Sequence, residues 1–208
     1  GAVDIGDHDR DSTVRDDTAV QEAEWFRDPA RLLVIRDGDR LTESRALTQR
    51  GIRQWEPRYS PDGSWIAYSS RSLTRYPSIR LVRPDGSEDR HLANRNGGTG
   101  LSWTPDGKTL VYAEAEFRHF FSVRSDLRAV DVETGRVRKI SRGLRARDPD
   151  VSPDGTSIVF ARHRGDRSEL FLVGLDGKDV RTLTQSEQGT ERGGPAWSAR
   201  GDQIAAAR

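Results

Sequence analysis

The 208-residue chain contains no cysteine and no methionine. The first absence removes disulfides, thiolate metal sites and cysteine nucleophiles, and leaves the compartment open. Lysine is scarce: Lys108, Lys139 and Lys178 stand against 31 arginines. A GC-rich coding sequence accounts for that bias, and Arg chosen for bidentate pairing with the 33 carboxylates is the rival reading. No run of 18 apolar residues occurs, so no transmembrane helix is expected, and no signal-peptide pattern is visible. A chain that starts at Gly1 and lacks methionine is expected to be a trimmed or processed product. Charge of one sign is lacking too. A formal net charge of +1 argues against nucleic-acid binding driven by bulk charge. Apolar residues make up only 33% and mean hydropathy is −0.79, too little for one thick core; thin layers sharing small cores fit better. No convincing amphipathic helix is found.

What is present is a repeat. "RYSPDGSWIAYSS" from Arg58 recurs as "LSWTPDGKTLVYAEA" from Leu101, "DVSPDGTSIVFARH" from Asp150 and "PAWSARGDQIAAAR" from Pro195. The anchors Tyr59, Trp103, Val151 and Trp197 are 44, 48 and 46 residues apart. In each copy an apolar anchor begins a strand and Pro-Asp-Gly turns the chain. Pro presets φ, Asp bonds the backbone two residues on, and Gly takes φ > 0. A second strand of small and β-branched residues follows, such as Ile66-Ala67-Tyr68 or Ile204-Ala205-Ala206, suited to burial between layers. A further hairpin comes after three of these copies, starting at Ile79, Leu127 and Leu170. Inner plus outer hairpin makes a four-stranded blade, and the period is that of a β-propeller.

The last copy has no outer hairpin after it, while "AVDI" (Ala2 to Ile5) matches "AVDV" (Ala129 to Val132) in an outer hairpin. Residues 2–15 are therefore expected to complete the last blade and close the ring, hiding its open edges. Residues 20–50 read as a shortened blade, with Trp25 as inner anchor and Val34 to Thr48 as outer hairpin. The expectation is an all-β fold: one propeller domain over residues 1–208, about five blades, closed by its two ends. The rival is a slice of a larger propeller.

At "YSPDGSWIAYSS", "WTPDGKTLVYAEA" and "VSPDGTSIVFAR" the chain resembles the TolB-type family of WD-like propeller repeats, most clearly over residues 55–207. The motif is specific for the fold and says little about function. The resemblance implies partner binding, as the TolB propeller binds a peptidoglycan-associated lipoprotein, and an extracytoplasmic setting, periplasmic or secreted. Related propellers cap the catalytic domain of prolyl-oligopeptidase-like serine peptidases, or belong to sugar-acid lyases. Three departures stand out: about five blades where six are expected, no N-terminal α/β domain, and Ala199-Arg200-Gly201-Asp202 where Pro-Asp-Gly would stand. Partner identity does not carry over.

Chemistry is sparse. There is no Gly-x-Ser-x-Gly elbow, and His8, His91, His119 and His163 fall in different blades, so no catalytic residue and no enzyme activity is assigned. Asp7, Asp9 and Asp11 alternate as carboxylates that converge on a hard cation such as Ca²⁺ do, although Ser12 sits where a sharp-turn Gly is wanted. No other cofactor is expected. Both Arg-Gly-Asp tripeptides, at 164–166 and 200–202, fall where hairpin turns are expected. Phe117, Phe120 and Phe121 lie in an insertion between hairpins, placed to cover a blade flank. The loops that enter the inner strands carry the better candidates: Glu22, Glu24, Trp55, Glu56, Arg58, Arg147, Asp148, Asp150, Glu191 and Arg192. Equivalent positions of every blade meet at the axis, so these form a polar rim able to dock a protein, peptide or glycan. A non-catalytic, monomeric recognition propeller is the expected function. An accessory propeller gating the active site of a larger hydrolase or lyase is the alternative.

Overall fold

The computed structural model describes residues 33–37, 41–48, 53–72, 74–118, 122–165, 167–185 and 193–207. Every regular element among them is a β-strand. A first hairpin pairs β1 (Leu33–Asp37) with β2 (Leu41–Ala46). Blade I follows: β3 (Arg53–Tyr59), β4 (Ile66–Arg71), β5 (Ser78–Val82) and β6 (Arg90–Asn94). Blade II holds β7 (Leu101–Trp103), β8 (Thr109–Arg118), β9 (Ser122–Asp131) and β10 (Val137–Lys139). Blade III holds β11 (Ala146–Val151), β12 (Ser157–Arg164), β13 (Arg167–Gly174) and β14 (Arg181–Thr182). A last hairpin joins β15 (Gly193–Trp197) to β16 (Ile204–Ala207). Each blade is an antiparallel meander in sequence order, as the sequence predicts. In blades II and III the outermost strand is short, which leaves little unpaired edge.

Strand periodicity explains the cores. On β4, Ala67 faces the cluster shared with blade II, while Ile66 and Tyr68 join Leu47 and Val82 on the other side. On β8, Leu110 and Tyr112 face blade I, and Val111 and Ala113 face blade III. Each middle strand is thus apolar on both faces, as a strand pressed between two blades must be. The burial of these side chains in three thin layers satisfies the low apolar content without a single thick core.

The turns that begin each inner hairpin are alike in detail. Asp62, Asp106 and Asp154 each accept from the hydroxyl two residues before and the backbone N–H two residues after. The fourth copy, lacking Pro-Asp-Gly, still closes: Gly201 N donates to Ser198 O at 2.9 Å, and Ser198 Oγ reaches Asp202 Oδ1 at 2.8 Å. Successive turns nest. A Cβ at Gly107, Gly155 or Gly201 would stand 3.8, 3.3 or 3.6 Å from the ring of Pro61, Pro105 or Pro153 of the blade before. Pro therefore works twice, within its own turn and as the seat of the next.

Three residues depart from the sequence reading. Tyr59, an expected apolar anchor, is 54% exposed, and Ala205 and Ala206, expected in a buried strand, are exposed. Among the described residues no strand covers the channel side of β3 or the outer edge of β16. The pairing of residues 2–15 with β16, the Trp25 hairpin and the Asp7, Asp9 and Asp11 triplet lie outside the described residues, as do Phe120 and Phe121. The insertion that carries them lengthens the β8–β9 hairpin, ten residues in each strand.

Candidate functional site at the channel face

The inner strands β3, β7, β11 and β15 follow one another around the channel, each touching the next. Pairing fixes which ends meet. Tyr59, Ile66 and Val82 share the end that carries the nested turns; Gln54, Ser70, Ser78 and Asn94 share the other. The loops entering the inner strands therefore gather on this second face, the loop face.

At the same register in every copy, three residues before the anchor, the backbone is left-handed: Glu56 (φ 57), Gly100 (φ 83), Asp148 (φ 48) and Gly194 (φ 56). A register shift accompanies it in β3, β11 and β15. Glycine is needed at 100, where a Cβ would stand 2.7 Å from Asp148 Cα. Glu56 and Asp148 are not glycine, precede proline, and hold a conformation that costs a non-glycine residue about 1–2 kcal/mol.

Glu56 is held by a knot of bonds. Its Oε1 accepts from Gly100 N at 2.8 Å, and its Oε2 accepts from Arg95 Nη1 at 2.8 Å. Arg95 is 2% exposed. It also donates to Ser69 Oγ at 2.5 Å, Ala113 O at 3.1 Å and Gly100 O at 3.3 Å. Every part of this buried guanidinium has an acceptor, the condition under which a buried ion pair survives desolvation. The knot joins blade I to blade II. Beside it, burial pushes the Tyr112 hydroxyl above its usual range, and its Oη has no hydrogen-bond partner among the described residues. The matching Tyr68 hydroxyl in blade I donates to Asp89 at 2.8 Å.

Asp150 is also committed. Its Oδ1 accepts from Ser102 Oγ at 2.9 Å and its Oδ2 from Trp197 N at 2.7 Å. Ser102 Oγ in turn accepts from Val151 N. The carboxylate thus stitches β7, β11 and β15. Of the other rim candidates, Arg58 and Arg147 are exposed, and Trp55 and Asp148 are half-buried. Glu22, Glu24, Glu191 and Arg192 lie outside the described residues. The strand succession brings Trp55, Glu56, Arg147 and Asp148 to the loop-face ends of neighbouring inner strands. Arg58 lies one residue from the turn end of β3. Sequence reasoning missed Arg95, the centre of the knot. Its signal was a charged residue just past Leu92, Ala93 and Asn94, where an outer strand hands over to the next inner one.

Three comparisons bear on this arrangement. Residues 28–201 match the family model described as TolB beta propeller domain. An uncharacterized protein of Agrobacterium fabrum is 29% identical over 131 residues, 62% of this chain and 43% of its own. The uncharacterized peptidase YuxL of Bacillus subtilis is 29% identical over 109 residues, 51% of this chain and 16% of its own. The crystal structure of TolB from Acinetobacter baumannii superposes with a TM-score of 0.66 at 21% identity, over 80% of this chain and 40% of that one. The chain spans less than half the length of these relatives.

Proposed function

The chain belongs to the TolB beta propeller domain family, and from that footing we propose that its loop face is a recognition surface, docking a protein, peptide or glycan without catalysis. One observation carries the reading: four successive inner strands bring equivalent left-handed positions to one face, and bonds that cross between blades hold Glu56, Gly100 and Asp148. The strained backbone at Glu56 and Asp148 persists because the surrounding bonds fix it, the situation in which a scaffold holds a surface ready for a partner. Glu56 and Asp150 shape the rim from within. Trp55, Arg147 and Asp148 are the side chains left to meet a partner there, while Arg58 sits near the opposite, turn end of β3. An extracytoplasmic setting goes with this reading through the family.

A photo-crosslinking amino acid placed at Trp55 or Arg147, in the organism of origin, tests it. The expected result is a discrete adduct from these positions and none from Asp85 at the opposite end. Equal yields from both ends would sink the reading.

A second reading draws on the likeness to the peptidase: the chain serves as the accessory propeller of a larger hydrolase or lyase and gates a site elsewhere. A complete reading frame that adjoins a hydrolase domain, together with peptide hydrolysis by the full-length product, would favour it over free-standing recognition.

A further inference from the structure

Between blades II and III the loop face opens into a groove of about 530 Å³. Arg145, Arg147 and His163 line it from blade III, where β11 and β12 pair, and Val123 and Ser125 line it from blade II, with Thr99 in the loop before β7. Three features set it apart from an ordinary charged surface.

First, its cations have no partner among the described residues. Arg145 and Arg147 are exposed, and their guanidinium groups make no ion pair or hydrogen bond with any described residue. The nearby carboxylates on β8 are already matched: Glu114 by Arg128, and Glu116 by Arg128 and Lys139. No described residue lining the groove is acidic.

Second, the loop that presents the two arginines is built. Asp126, 4% exposed, accepts from Ser141 Oγ at 2.8 Å, Gly143 N at 2.7 Å and Leu144 N at 3.0 Å. A buried carboxylate here spends its charge on two backbone amides and a hydroxyl and on neither arginine. Arg145 itself holds a left-handed backbone (φ 54), which fixes its direction of departure. With the backbone already fixed, only the two arginine side chains have to order when an anion arrives.

Third, the histidine beside the arginines is ordered as well. The imidazole of His163 is hydrogen-bonded to the fully buried Ser168 hydroxyl, Nδ1 to Oγ at 3.2 Å.

We propose that this interblade groove binds an acidic peptide segment of a protein partner, with Arg145 and Arg147 engaging side-chain carboxylates. The proposal rests on the recognition reading above and gives it a chemistry. Arg forks match carboxylates bidentately. The hydroxyls of Thr99 and Ser125 supply polar contacts, and the 59%-exposed Val123 offers an apolar spot for a neighbouring side chain. A peptide fits better than an acidic glycan, because apart from the His163 imidazole no described lining residue has a ring on which a sugar could stack.

The test is fluorescence anisotropy with the full chain and a labelled hexaglutamate peptide, against a hexaglutamine peptide of equal length. Hexaglutamate is expected to bind at least about tenfold tighter, and to weaken as salt rises from about 0.1 to 1 M. Arg145→Gln combined with Arg147→Gln should weaken it at least about tenfold, while Arg181→Gln, elsewhere on the surface, leaves it within about twofold. Unchanged thermal melting of the double variant shows that the fold is intact; if its melting shifts, the single Arg147→Glu variant replaces it. Equal binding of the two peptides, or full binding by the double variant, overturns the proposal. Binding of a uronic-acid oligosaccharide without binding of hexaglutamate overturns it as well. If hexaglutamate fails while crosslinking from Trp55 and Arg147 succeeds, the acidic-peptide assignment alone falls; if both fail, so does the recognition reading.

Discussion

Asp62 accepts hydrogen bonds from Ser60 Oγ, Ser64 Oγ and Ser64 N inside its own turn. Those donors, Ser60 foremost, hold its carboxyl down from 3.8 to about 2. Asp106 and Asp154 are lowered in the same way, chiefly by Thr104 and Ser152. The sign follows: a carboxyl lowered in the folded state stabilises above the unfolded value, and that contribution is lost as pH falls through the folded one. Melting temperature should therefore drop between about pH 4 and 2. Asp62→Asn should flatten part of that drop; an unaltered pH profile would show that the turn carboxylate contributes nothing. Gly63 separates strain from crowding. Its φ is 70°, and a Cβ there would meet nothing within 4 Å. Gly63→Val should cost about 1–2 kcal/mol by urea denaturation, from backbone strain alone. Gly98→Ala should cost more, since its Cβ would stand 2.3 Å from Ala113 O. A value near zero for Gly63→Val would count against the turn's role.

At the scale of elements, inner strands are fastened to one another by side chains as well as by apolar layers. Arg95→Met removes the only cation on Glu56 among the described residues and leaves Ser69 Oγ and two carbonyls short of a donor. The expected loss is about 3–5 kcal/mol. In a double-mutant cycle with Glu56→Gln the two changes should be strongly non-additive; simple additivity would show that the pair is not coupled. Asp150→Ala should cost about 1–3 kcal/mol, because it strips the acceptor from Trp197 N and Ser102 Oγ. Amide exchange at β15 should then quicken while blade I is unaffected. These fastenings were only partly legible. "EP", "DP" and "GP" stand three residues before the anchor in three copies, a register whose left-handed backbone only the structure brought out. What Glu56 and Asp150 bind is decided by residues 39 and 47 positions away in the chain, Arg95 and Trp197. No local pattern carries that information, so both carboxylates read from sequence as free rim charges.

For the whole molecule, ring closure is the open expectation, and β16 is where it can be read. Its residues are largely exposed, whereas β12 buries Ile158 through Ala161. If residues 2–5 pair with Ile204–Ala207, the amides of β16 exchange slowly in the full chain, and deleting residues 1–15 accelerates them and promotes aggregation. Exchange at β16 that is indifferent to the deletion speaks against closure.

The sequence by itself determined the blade. Turn chemistry acts over two to three residues, strand alternation over two, and the repeat multiplies both signals four times; even Ala199-Arg200-Gly201-Asp202 closes as a turn because Gly201 and Asp202 supply what Pro-Asp-Gly does elsewhere. Tertiary structure alone decided which charges are spent. Glu56 and Asp150 are consumed by bonds between blades, and Arg145 and Arg147 find no partner among the described residues beside a groove, because ion pairing depends on distances of a few ångströms between blades that lie some 45 residues apart in sequence.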